Sequence, residues 1–220
     1  EKKSREFEKK YESKISRCNS FQLYKAIKEL EKIDEKMDKI LSYAYLLHSE
    51  NLQNEKNKIF LQKMQETITN YFSYLIFFNL EINNLSETKI KKYLQNKKLQ
   101  KFNTWILNIR TFRKHMLNKD LEKLFTDKSL TSKSAWIKLF DETIATLKFD
   151  FKNKKLSSAE ILNLMSDQNY NNRKIAAKSI GKVFKENVRI FTIITNTLAK
   201  DKFVNDKWRK YPNPVRSRNL

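Results

Sequence analysis

Glycine occurs once in 220 residues and proline twice. That scarcity excludes most hairpin-rich β folds, collagen-like chains and Gly/Ser linkers. It also excludes glycine-rich phosphate loops, which need several glycines close together. The single cysteine, Cys18, rules out a disulfide framework. With only two histidines, His48 and His115, the chain has almost nothing from which to build a zinc site. Long apolar runs are missing too. The longest stretch without a charge is Thr67 to Leu80, 14 residues, against the ~20 that a bilayer-spanning helix needs. It reads as a buried central helix, and no membrane partner is expected. The opening Glu1-Lys2-Lys3-Ser4-Arg5 has no apolar core behind it, so it is not a secretory signal. Nor does it begin with Met, so the native start is open. A cytoplasmic location is the expectation, with Cys18 a free thiol.

What is present argues for a folded helical protein. Hydrophobic residues at 40% and aromatics at 12% argue against disorder despite 32% charged residues. Basic residues outnumber acidic ones 46 to 25, giving +21 and a pI near 9.9. Such a balance suits nucleic acid or an anionic surface. Only nine of the cations are arginine, however, and arginine is the residue that forks onto phosphates and guanine edges. A solvated, lysine-rich surface is the simpler account.

Apolar spacing of three and four residues predicts helices nearly throughout. One stripe runs through Ile27, Leu30, Ile33, Met37, Ile40, Ala44 and Leu47. A second runs through Leu61, Met64, Ile68, Phe72, Leu75 and Phe78. Phe102, Trp105, Ile106, Ile109, Phe112 and Met116 form a third, and Trp136, Leu139, Phe140, Ile144 and Leu147 a fourth. Aromatics at this spacing are expected in the core. Ser86 and Thr131 or Ser132 stand where N-caps belong, and Ser157-Ser158-Ala159-Glu160 has capping-box spacing. Alternation in Leu147-Lys148-Phe149-Asp150-Phe151, with a turn at Asn153 before Leu156, makes a small β-hairpin near 147–157. One long helix is expected from about Asn171 to Leu198, crossing Gly181, where close packing would explain the glycine. Tyr211-Pro212-Asn213-Pro214 ends helix formation. The fold class is all-α, an antiparallel helical bundle or array with that single hairpin.

The sequence is poor in chemistry. A helical zinc peptidase motif, H-E-x-x-H, is absent; His48-Ser49-Glu50 has the wrong offset and no second histidine. His115 stands 67 positions further on, so packing or surface roles suit both histidines. Glu29, Asp34, Glu35 and nearby acids, with lysines three and four residues away, read as a salt-bridged solvated face. Cys18 has no neighbouring histidine to activate it. No catalytic or metal-binding residue is expected in this chain, and substrate-binding residues are not identified.

A series of short segments nevertheless carries a family likeness. Phe7-Glu8-Lys9-Lys10-Tyr11 opens it, followed by Leu41-Ser42-Tyr43-Ala44-Tyr45-Leu46 and Arg113-x-His115-x-Leu117, with Glu122 and Leu124 after it. Ser134-Ala135-Trp136 and Leu156-Ser157 to Leu164 come next, then Arg173, Ala176-Ala177, Thr195-Asn196-Thr197-Leu198, Asp201 and Trp208-Arg209-x-Tyr211. In order and spacing they resemble the N-terminal region of oligoendopeptidase F, in the thimet-oligopeptidase-like zinc metallopeptidases.

The resemblance implies residues 1–211 as the N-terminal helical domain of an oligopeptidase and 212–220 as an exit toward a catalytic domain not present here. It implies a cleft-forming role in hydrolysis of short unfolded peptides, with zinc in the complete enzyme and none in this chain. The catalytic half would be supplied in cis or in trans, and this chain alone would be inactive. Apolar surface should be exposed where that half docks. His115 matches a histidine of the family's N-terminal region, for which packing or hydrogen bonding is expected. Two alternatives stand beside this reading: a basic helical module binding nucleic acid, and a non-catalytic peptide-binding remnant.

Overall fold

The computed structural model describes residues 1–52 and 54–218. Asn219 and Leu220, the end of the expected exit segment, lie outside the described residues. Among the described residues the fold is all-α apart from one two-stranded antiparallel hairpin, as the apolar spacing predicts. It divides into two compact units, Glu1–Leu130 with Phe203–Leu220, and Thr131–Lys202.

The first unit is built on its longest helix. After α1 (Lys2–Tyr11) and a short 3-10 turn at Ile15–Arg17, α2 runs from Ser20 to Glu50, about 46 Å at 1.5 Å per residue. Asn19 starts it with a reciprocal capping box on Gln22. A short link leads into α3 (Glu55–Ser73), which runs back along α2. Asn57 Nδ2 donates to the Leu47 carbonyl at 2.8 Å and Gln65 Nε2 to the Tyr45 hydroxyl at 2.7 Å. Partners that separate from the turn in opposite directions mark an antiparallel pair. The core gathers Phe7, Ile15, Leu23, Phe78, Leu99 and Ile106, all at most 1% exposed. Phe7 packs on Tyr11, Phe77 and Phe78 at ring distances of 4.8, 5.8 and 5.4 Å.

The apolar window Thr67–Leu80 is not one helix. It breaks at Tyr74–Leu75 between α3 and α4 (Ile76–Asn84). Leu75, Ile76, Phe77 and Phe78 are all buried. Four consecutive residues sweep about 300° of a helix surface, so one face cannot hide them. The tightened turn re-aims the chain, and α4 is packed by its neighbours on several sides. Helices α5 (Glu87–Leu94), α6 (Lys97–Gln100), α7 (Asn103–Thr111) and α8 (Lys119–Lys128) follow, with a 3-10 turn at Arg113–His115 before α8.

The second unit begins with α9 (Lys133–Thr146). No α9 side chain is fully buried, and Leu139 and Phe140 remain exposed. The fourth apolar stripe, expected in the core, is therefore only partly covered: Trp136, Ile144 and Leu147 are half-buried, and Leu147 packs against this unit's small core. The hairpin pairs β1 (Phe149–Phe151) with β2 (Lys154–Leu156), Phe149 opposite Leu156; Lys152 turns it at φ 53°. Ser157 and Glu160 cap α10 (Ser158–Asn163) reciprocally, as their spacing predicts. The expected single helix over Asn171–Leu198 is two: α11 (Tyr170–Glu186) and α12 (Val188–Trp208). Asn187 separates them. Its backbone leaves helical geometry at φ −102°, ψ 8°, and its Nδ2 donates to the Val183 carbonyl at 2.9 Å, competing with the continuing helix. Gly181 lies within α11 with nothing within 4 Å of where a Cβ would stand, so close packing does not explain it. The small core here is Phe149, Ile161, Ala176 and Val183. No helix among the described residues is long and apolar enough to cross a membrane.

Candidate functional site

A groove of about 840 Å³ runs along α2, within the 300–1,000 Å³ typical of ligand sites. Its α2 wall follows the helical period from Ile27 through Glu31, Asp34, Asp38 and Ser42 to Leu46, a strip about 28 Å long. Lys101, Phe102 and Trp105 form the facing corner, where α6 meets α7. The last two rings pack against the main core, with Phe102 6.2 Å from Tyr24 and Trp105 6.5 Å from Phe78. That side of the groove is thereby held in place.

The acids of this strip divide into two kinds. Glu31 pairs with Lys28, and Glu35 with Lys39 at 2.6 Å; both pairs are exposed, in keeping with a salt-bridged surface. Asp34 departs from that reading. Its Oδ1 is buried with no hydrogen-bond partner, and among the described residues neither Asp34 nor Asp38 has an ion pair. Burial first, and then the charge of Asp38, push the Asp34 carboxyl up to about 6. A carboxylate losing water without gaining a partner is an anionic point lacking a cation.

The two histidines serve elsewhere. In His48, on the last turn of α2, Nδ1 is buried without a hydrogen-bond partner. His115 joins a cluster inside the first unit. Its ring stacks on Tyr211 at 4.1 Å, and its Nδ1–H donates to the Arg209 carbonyl at 2.8 Å. Arg209 in turn grips Glu122 through both guanidinium ends, at 2.7 and 2.8 Å. Glu122 also accepts the Leu117 N–H at 2.9 Å. Burial opposes the charged form of Glu122, but Arg209 and that N–H together hold its carboxyl below the usual range. His115, Leu117, Glu122, Arg209 and Tyr211 are thus one latch where α12 ends, a convergence their separation of about 90 positions conceals; Arg113 instead pairs with Glu87.

The described side chains offer no zinc site. Among the described residues no group of three or more His, Cys, Asp or Glu side chains could hold a metal ion, and the Nδ1 of His115 is already engaged. Burial pushes the Cys18 thiol up, which disfavours its thiolate form.

Residues 81–149 match the family described as Oligopeptidase F. No curated protein matches the chain. Among solved structures, oligoendopeptidase-F from Enterococcus faecium superposes with a TM-score of 0.83 at 18% identity, over 98% of this chain and 43% of its own. A protein from Chlamydophila abortus, provisionally assigned as a peptidase, superposes at 0.55 and 20% identity, over 90% of this chain and 34% of its own. The chain thus spans less than half the length of either. It resembles the N-terminal region of oligoendopeptidase F, in sequence over residues 81–149 and in fold over nearly its whole length.

Proposed function

We propose that this chain is the N-terminal, substrate-cleft-forming part of a zinc-dependent oligoendopeptidase acting on short unfolded peptides in the cytoplasm. In this reading residues 1–211 are the helical domain and 212–220 lead toward a catalytic domain, joined in cis or supplied in trans. The zinc and the groups that activate water come from that domain. This chain contributes shape, and by itself does not hydrolyse peptides. The observation that carries the reading is the superposition on oligoendopeptidase-F across 98% of the chain. The exposed apolar side chains of α9, Ile137, Leu139 and Phe140, suit a surface made to be covered.

The test is to isolate the native protein from its source cells and measure its mass, its zinc content and its cleavage of an internally quenched peptide. The expected result is a species carrying H-E-x-x-H, with one zinc and chelator-sensitive hydrolysis, while the 220-residue chain alone shows neither. Stoichiometric zinc or chelator-sensitive cleavage by the isolated chain overturns the assignment of roles. A native species without H-E-x-x-H in the same or an associated chain overturns the enzyme reading.

One feature favours a second reading, nucleic-acid binding. Lys25 and Lys98 stand 4.5 and 5.1 Å from the exposed Phe21 ring, and Lys101 lies 5.5 Å from Tyr24. Interleaved cations and rings are what single strands stack on. This reading requires affinity for single-stranded oligonucleotides that falls steeply with added salt. Absence of binding near physiological salt removes it.

A further inference from the structure

We infer that the α2 groove is a binding site for a cationic amphipathic peptide segment, an extended stretch with apolar side chains beside Lys or Arg. The inference needs no catalytic half and stands apart from the peptidase reading.

Three observations carry it. The first is size: the 28 Å strip from Ile27 to Leu46 matches about eight residues of extended chain at 3.4 Å each. The second is apolar lining that is already on display. Tyr43 and Leu46 are 60% and 71% exposed at one end, and Phe102 and Trp105 are fixed against the core near the other. The third is charge. The protein as a whole is +21, yet this groove is lined by Glu31, Asp34, Glu35 and Asp38 against Lys39 and Lys101. Glu31 and Glu35 already hold lysines, which leaves Asp34 and Asp38 to meet a cation from outside. The half-buried Asp34, whose Oδ1 has no hydrogen-bond partner, and the exposed Asp38 both line the groove, and a Lys or Arg entering it would meet this carboxylate pair.

The net charge makes the test discriminating. Non-specific attraction to a +21 protein favours an anionic peptide and repels a cationic one. A preference for the cationic peptide can therefore arise only where local charge is reversed. The experiment uses the full chain and two fluorescein-labelled octapeptides, one alternating Lys with Leu and Phe, the other with Glu in place of each Lys. Binding is read by anisotropy at about 0.15 M salt. The expected result is saturable binding of the Lys peptide, at least tenfold tighter than the Glu peptide. The double variant Asp34→Asn, Asp38→Asn should weaken it about tenfold. Leu46→Lys, a substitution at an exposed position, should do the same while circular dichroism stays native. A single-stranded oligonucleotide serves as competitor and should not displace the Lys peptide. Equal or reversed preference, no saturable binding, insensitivity to both variants, or displacement by the oligonucleotide overturns the inference. Each of these outcomes is read without catalysis, so failure here leaves the peptidase reading where its own test puts it.

Discussion

Asp34 and Gly181 are residues whose surroundings do not reward them, and each yields a stability prediction. The Asp34 carboxyl rises from its ordinary 3.8 to about 6 in the folded chain. Between those values the folded state binds more protons than the unfolded one, so stability falls as pH rises through that window. Above it the charged form is a standing cost. Asp34→Asn should therefore raise unfolding stability by about 1 kcal/mol at pH 8, a figure reduced for the carboxyl's partial exposure, and leave it unchanged near pH 3.5. Urea denaturation at the two pH values measures this, and an equal effect at both would count against it. A residue that costs stability when charged, and lines a groove, is what a binding role leaves behind. Gly181 is simpler. It sits mid-helix without a positive φ and with open space at its Cβ position. Gly181→Ala should stabilise by about 1 kcal/mol from helix propensity alone, seen as a higher midpoint in thermal unfolding. A loss of stability would mean that something packs there after all.

Elements end where side chains take over the backbone's unpaired groups, and this decides what is legible in the sequence. The hairpin at Phe149–Leu156 and the caps at Ser86 and Ser157 can be read directly, because their residue types have one usual role. Asn19, Asn54, Asn96, Asn118 and Asn169 also cap helices, but in an asparagine-rich chain their letters do not stand out. The breaks at Tyr74–Leu75 and Asn187 were hidden for another reason: apolar spacing continues through both, and only tertiary packing decides where a run bends. The groove was obscured because α2's acids do sit near lysines; spacing does not say that Glu31 and Glu35 take those lysines while Asp34 is half-buried without one. Least legible of all is Arg110. Its Nη1 donates to the carbonyls of Ile82, Asn83 and Leu85 at 2.9, 3.3 and 3.1 Å, closing the end of α4, and its side chain is 7% exposed. Its Nη2 pairs with Glu87. Arg110→Ala should cost about 2–3 kcal/mol, since buried carbonyls lose their donor. Arg110→Lys should recover only part, because an ammonium lacks the planar fork. Chemical denaturation of the two variants tests this, and a loss below about 0.5 kcal/mol for alanine would show that the α4 end is capped by other means.

At the scale of the whole molecule, the two units are unequally furnished. Among the described residues, the first gathers eighteen buried hydrophobic residues in one cluster, Phe7, Phe77 and Phe78 among them; the second gathers four, Phe149, Ile161, Ala176 and Val183, with Ile194 buried outside that cluster. Hydrophobic burial is the main term set against chain entropy, so a unit with so few fully buried side chains has little stability of its own. In the second unit, Leu139, Phe140, Val188 and Ile193 remain exposed on α9 and α12, apolar area that contributes nothing until something covers it. The isolated chain should therefore open in stages. Amides of α10 and α11 should exchange with solvent at least tenfold faster than those of α2 and α4, through sub-global openings that leave the first core intact. Hydrogen exchange under native conditions measures both sets in one experiment. Equal protection would mean that the chain unfolds as one cooperative body and that the small core is stronger than its size implies. If the proposed catalytic domain covers α9, adding it should slow exchange in the second unit selectively, because a partner that binds only the closed form stabilises that form by mass action. Slowing spread evenly over both units would place its contact elsewhere.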